Sequence, residues 1–201
     1  VFTDRPNAAL LHMRVGEDWE PRIKYDPTTQ APAGAVSSNV RDLTTWMRLE
    51  LANGSLDGAP VIDAAALAAT HVPLMARGKN PVTGGASFYG LGWNVLTDHL
   101  GYLRWAHSGA FTRGAATNAT LLPAAGLGVI VLTNGVPIGV PEALVDEIID
   151  QIVTGVKKKQ NVEDTQALDS PLRAVRVVQR TRTLGGVLNN AWTGRRLIAR
   201  A

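Results

Sequence analysis

The sequence predicts an α+β fold, an antiparallel sheet with helices packed on it, and three observations carry that reading. Residues 40–51 and 63–71 space their apolar side chains at helical intervals, residues 89–132 switch to the alternation of half-buried strands, and from Pro141 the helical interval returns. With 201 residues, 45% hydrophobic and 18% charged, the chain has enough apolar surface for one sizeable core. The absence of Cys excludes disulfide scaffolds, thiolate metal sites and cysteine nucleophiles.

Taken in order, the first 30 residues are broken by Pro6, Pro21 and Pro27 and read as loop, with one short strand at residues 10–15. Ser38 or Asn39 then caps a helix whose positive end suits Asp42 and whose buried stripe is Val40, Leu43, Met47 and Leu51, with Trp46 beside it. Asn53-Gly54 supplies its left-handed stop. A second helix fits residues 63–71, capped by Asp63 and buried through Leu67. Tyr89, Leu91, Trp93 and Val95 alternate as one strand, and Leu103 to His107 form the next, ending in a turn at Ser108-Gly109. Strands at residues 115–122 and 128–132 are joined through Pro123-Ala124-Ala125-Gly126. The last helix starts at Pro141, buries Leu144, Val145, Ile148, Ile149 and Ile152, and is expected to end at Gly155.

The formal net charge of +3 hides an asymmetry: residues 1–156 carry ten Lys and Arg against fourteen Asp and Glu, whereas residues 157–201 carry ten against three. The chain therefore divides into a folded part, 1–156, and a basic tail, 157–201, to which no structure is assigned. Trp192 is the tail's one aromatic, a thin supply of stacking platforms, so a nucleic-acid partner is disfavoured against a solvated basic end. No apolar run approaches the roughly 20 residues of a membrane-spanning helix. The start, Val1-Phe2-Thr3-Asp4-Arg5, lacks both Met and the pattern of a signal peptide, and reads as a processed end or a cut through a longer gene.

His12, His71, His99 and His107 show no H-E-x-x-H spacing and no accompanying carboxylate cluster, which leaves a metal site without support, and no cofactor is expected. The first three read as ordinary surface or capping histidines. Gly85-Ala86-Ser87-Phe88-Tyr89 misses the second Gly of a nucleophile elbow, and no glycine-rich stretch carries the Lys-Ser or Lys-Thr of a phosphate loop. The informative stretch is Arg104-Trp105-Ala106-His107-Ser108-Gly109-Ala110. Here a cation and a hydroxyl flank a groove, the Gly leaves a strand edge bare for a substrate carbonyl, and the following N–H offers an oxyanion donor. Taken alone, those residues suit a turn at the end of a core strand better than a site.

Four ordered blocks make the reading more specific. Ala33-Gly34-Ala35-Val36-Ser37-Ser38-Asn39-Val40-Arg41-Asp42-Leu43 is followed by Tyr89-Gly90-Leu91-Gly92-Trp93, then by His107-Ser108-Gly109 with Gly114. Last come Leu122-Pro123 and Gly126-Leu127-Gly128-Val129-Ile130-Val131-Leu132-Thr133-Asn134. Over roughly residues 25–156 this resembles the C-terminal half of the serine β-lactamase-like family, which groups class C β-lactamases, D-alanyl-D-alanine carboxypeptidases, D-aminopeptidases and related esterases. The resemblance implies the C-terminal part of a β-lactamase/transpeptidase-like fold. It also implies acyl-enzyme chemistry on an amide or ester of a small-molecule or peptide substrate, with no cofactor. By the same resemblance His107 assists proton transfer or binds substrate, Ser108 hydrogen-bonds substrate across Gly109, and the N–H of Ala110 forms half of an oxyanion hole, with Gly114 on the substrate-binding side. His where many members have Lys leans mildly toward peptidase or esterase action, since imidazole is a weaker carboxylate anchor than an ammonium.

Two departures stand out. No Ser is followed three residues later by Lys: Ser38 and Ser170 meet Arg41 and Arg173, and guanidinium cannot act as a base. Nor does Tyr25, Tyr89 or Tyr102 begin a Tyr-x-Asn or Tyr-x-Ser. Ser37-Ser38-Asn39 imitates Ser-x-Asn, but helix capping accounts for it. In the family both missing motifs precede the first block, so the chain is expected to lack the N-terminal half of the domain, with nucleophile and base, and that half is its expected partner. The rival reading is a non-catalytic binding or structural relative.

Overall fold

The computed structural model describes residues 6–21, 28–80, 84–160 and 173–178. A hairpin of β1 (His12–Val15) and β2 (Asp18–Pro21) is followed by the short α1 (Ala31–Gly34) and by α2 (Val40–Leu51). A small ribbon, β3 (Ser55–Leu56) with β4 (Ala59–Pro60), leads to α3 (Ala64–Thr70). The main sheet is then laid down strand by strand: β5 (Met75–Lys79), β6 (Ala86–Tyr89), β7 (Asn94–Thr97), β8 (Leu103–Phe111), β9 (Ala115–Leu122) and β10 (Leu127–Thr133). Each pairs antiparallel with the one before it. The chain leaves through α4 (Val140–Gln160), and β11 (Arg173–Val178) pairs parallel on the far side of β10, as a helical crossover permits. The result is the expected α+β architecture, a mainly antiparallel sheet with packed helices.

Alternation along the strands feeds two cores. Leu121 of β9 and Ile130 of β10 point to α2, where Val40 and Met47 meet them together with Trp93 and Val95. Leu122, Val129 and Val131 point to the opposite face and pack on Val145, Ile149 and Val153 of α4. Gly128 makes the first contact close: a Cβ there would stand 3.0 Å from both Met47 Cε and Leu121 Cδ2, so a bare backbone lets α2 settle on β10.

The caps follow the sequence. Asn39 accepts from the Asp42 amide at 3.1 Å, and Asp63 accepts from Ala66 at 2.8 Å, each satisfying a donor that the first helical turn leaves free. Asn53 and Gly54, with φ of 51° and 88°, end α2 as expected.

Several expectations are corrected. The alternation from Tyr89 to Val95 is two strands, because the chain folds back at Gly90-Leu91-Gly92, where Gly92 has φ 89° and Leu91 is exposed. Ser108-Gly109 is no turn; β8 runs straight through it to Phe111, held by β9 over its last residues. Gly155 does not stop α4, which continues to Gln160. An exposed Gly costs a helix interior roughly 1 kcal/mol, less than packing of the apolar stripe returns. The N-terminal strand begins at His12 and has a partner, β2, in a segment read as loop. The remaining tail residues, Trp192, Arg195, Arg196 and Arg200 among them, lie outside the described residues.

Candidate functional site

Strand β8 is nine residues long and its neighbour β7 only four, so β7 pairs with residues 103–106 and stops at Asn94↔Ala106. From His107 to Phe111 the strand keeps β9 on one side and, among the described residues, has no strand on the other. The direction of its backbone groups follows from two contacts. Asn94 Nδ2 donates to the Ala106 carbonyl at 3.2 Å, which places that carbonyl on the β7 side. Thr133 Oγ1 donates to the Ala116 carbonyl at 2.8 Å, so the even residues of β9 face β10 and its odd residues face β8. Since the pairing matches odd with odd, as in Gly109↔Thr117, the even residues of β8 face away from β9. The N–H and C=O of Ser108 and Ala110 therefore point out of the free edge.

The side chains divide by the same alternation. Trp105, His107, Gly109 and Phe111 lie on the α2 face, whereas Arg104, Ala106, Ser108 and Ala110 lie on the α4 face. His107, Ser108 and Ala110 are exposed and Gly109 is half-buried. A Cβ on Gly109 would come within 2.7 Å of Thr117 Oγ1, so Gly keeps this cross-strand position flat. Phe111 lies against Gly34, whose Cβ would meet its ring at 3.0 Å, which joins the first sequence block to the end of β8. Gly114, in the following turn, is buried against the backbone of His12. The four candidates from His107 to Ala110 thus share one free strand end, and Gly114 sits behind it.

On the α2 face the strand meets a buried polar pair that sequence reasoning missed. His71, taken for an ordinary capping histidine, is 7% exposed, and its Nε2 stands 3.1 Å from Oε2 of Glu50, 6% exposed. The alignment falls short of a hydrogen bond, so both atoms count as unpartnered, as does Trp105 Nε1 beside them. The His71 ring lies flat on the Trp105 indole, with centroids 3.6 Å apart and planes 7° from parallel, and Trp46 stacks on Trp93 at 5.2 Å. Burial raises the Glu50 pKa, partly offset by the hydrogen bond from Trp46, and burial lowers that of His71. Both shifts favour the neutral forms.

His71 consequently contributes a pH dependence with a definite sign. Between its lowered folded value and the ordinary 6.5, the unfolded chain binds more protons there, so its stabilising share is complete above 6.5 and is lost as pH falls. Glu50, raised above 4.5, has the opposite slope, since the folded state holds the proton longer. Melting temperature is expected to fall more steeply from pH 7 to 5.5 in the wild type than in His71→Phe, measured by circular dichroism. Parallel slopes would contradict the assignment.

His99 lies at the surface, with Nε2 3.4 Å from Asp150, and His12 Nδ1 contacts the Leu10 carbonyl in its own segment and Asn134 Nδ2 just past β10. Among the described residues no group of three or more His, Asp or Glu is placed to hold a metal ion, and no helix is long and apolar enough to cross a membrane.

A family model described as Beta-lactamase matches residues 3–154. The chain belongs to the beta-lactamase family. No curated protein and no solved structure matches it. The match to this hydrolase family spans β1 to β10 and α4 through Thr154, and so includes the free end of β8.

Proposed function

We propose that this chain supplies one wall of an acyl-transfer serine hydrolase site, formed by His107, Ser108, Gly109 and Ala110 on the free end of β8. The observation that carries the reading is the outward aim of the Ala110 amide along an edge that no described strand covers. An edge of this kind takes an extended acyl group as an added strand, and an amide directed at its carbonyl stabilises the oxygen as negative charge develops. Ser108 exposes its hydroxyl beside that edge on the α4 face and His107 presents its imidazole on the opposite, α2 face, while Gly114 lets the hairpin turn behind them close. The substrate class is an amide or ester carbonyl: a β-lactam, a D-amino-acid peptide or a carboxylic ester. The attacking serine and its base would come from a Ser-x-x-Lys and a Tyr-x-Asn element supplied by the N-terminal half of the domain, since neither motif occurs in this sequence. In this reading residues 1–156 are the hydrolase-fold unit, and the basic tail 157–201 adds to it the end of α4 and the strand β11 beside β10.

The chain alone is expected to take no covalent label from a fluorescent penicillin or a fluorophosphonate, followed by gel fluorescence and intact mass. A label mapped to any of Ser37, Ser38, Ser55, Ser87, Ser108 or Ser170 would overturn the placement of the nucleophile outside this sequence. The absence of both motifs also favours a second reading, a non-catalytic relative that keeps the groove for binding. Adding an N-terminal half that carries Ser-x-x-Lys separates the two: labelling restored supports the hydrolase, labelling still absent supports the binding relative.

A further inference from the structure

The sheet does not fix the free end of β8 on its β7 side, so its position depends on what packs against its face. Two contacts do this. Phe111 closes on Gly34 at the far end, and Trp105, two residues before His107 on the same face, lies under the His71 ring. His71 is itself held from two directions: its amide donates to Ala68 at the end of α3, and its ring faces Glu50 from the last turn of α2. A buried Glu–His pair is a costly way to fill such a space, because two polar groups give up water for one imperfectly aligned contact, and apolar residues of similar volume generally fill it at lower cost. What the pair adds over an apolar filling is orientation. The His71 ring is stacked flat on the indole and bounded at Nε2 by the Glu50 carboxyl 3.1 Å away, which limits its sliding across Trp105, and the indole cannot shift without moving β8.

We propose that Glu50 and His71 are positioning residues that set, through Trp105, where β8 presents His107 and the Ala110 amide. The proposal rests on the reading of β8 as the site wall, yet its readout needs no reaction. In the full chain labelled with ¹⁵N, the amides of His107, Gly109 and Ala110 report the strand directly. The variant Glu50→Leu with His71→Phe keeps a ring on Trp105 and an apolar filling while removing the polar contact between the two side chains. It is expected to keep the wild-type melting temperature within a few degrees, to move the 107–110 amide resonances, and to speed hydrogen exchange of the β9-facing His107 and Gly109 amides by roughly tenfold. A packing role alone would leave those amides in place, with changes confined to residues 46, 50, 71, 93 and 105, and that result overturns the proposal. Should the double variant fail to fold, Glu50→Gln, nearly isosteric, is read in the same way and is expected to give a smaller displacement of the same amides. No displacement there overturns the proposal equally. Covalent labelling decides the hydrolase reading separately, so either idea can fail without the other.

Discussion

Truncating Arg104 to alanine is expected to cost roughly 3–5 kcal/mol of unfolding free energy, because it strands a buried carboxylate. The Arg104 guanidinium donates from Nε to Asp98 at 2.8 Å and from Nη1 to Asp146 at 2.6 Å. Asp98 has 1% of its side chain exposed, whereas Asp146 is 58% exposed. The two partners therefore carry unequal weight. Asp98 also accepts the amides of Leu100 and Tyr102 through Oδ1, at 2.9 and 2.8 Å, so the carboxylate organises the whole β7–β8 turn. With Arg104 gone, two backbone amides offset the buried charge incompletely, and the turn has to open to let water reach it. Asp146→Ala, by contrast, removes a largely solvated partner and is expected to cost about 1 kcal/mol or less. Urea denaturation of both variants checks this, and a loss at Arg104 no larger than that at Asp146 would show that the Asp98 contact is not desolvated. The same arginine ties β8 to α4 three residues before His107, so its loss is also expected to broaden the resonances of the free strand end.

The elements legible in the sequence are those whose burial is periodic and local. Val40, Leu43 and Met47 on α2, and Val145 and Ile149 on α4, declare one apolar face each, and both helices form where their spacing places them. The β9–β10 hairpin was legible for the same reason, with Pro123 and Gly126 punctuating two apolar runs. Strand β5 left no such trace, because all five of its residues are exposed at the sheet edge and its sequence, Met-Ala-Arg-Gly-Lys, does not alternate. The candidate site was legible as a motif and illegible as a geometry. His107-Ser108-Gly109 stands out through its resemblance, but the feature that leaves it on a free edge is that β8 outruns β7, and the relative length of two neighbouring strands is a property of register rather than of either segment. Glu50 and His71 were hidden further, since they lie on different helices and each alone has the look of a surface residue. Only the packing of α2 and α3 against Trp105 brings them to 3.1 Å.

The second large effect is expected at Gly114, where valine should cost roughly 3 kcal/mol or more, through two independent conflicts. Its φ of 115° is a conformation that a β-branched residue adopts only under strain. A Cβ there would also lie 2.6 Å from both the backbone N and O of His12, and neither is the end of a flexible side chain that can swing away. What must give is the N-terminal segment, which is docked by hydrogen bonds from the His12 amide to Asn134 at 2.7 Å and from the Val136 amide to His12 at 3.1 Å. Displacing it would undock β1 from the end of β10 and loosen the turn that the Gly114 amide closes on Phe111 at 2.9 Å. The effect then reaches the free end of β8, since Phe111 is the residue that rests on Gly34. Gly16→Val is the control: φ is also positive at 62°, but nothing lies within 4 Å of its Cβ, so conformational strain acts there without the clash. Chemical denaturation should rank Gly114→Val well below Gly16→Val in stability, and trypsin should cut faster after Arg14 in the Gly114 variant as β1 comes away. Equal losses at the two glycines would mean that the His12 backbone is not held against the turn, and the coupling from the N-terminal segment to the free end of β8 would fall with it.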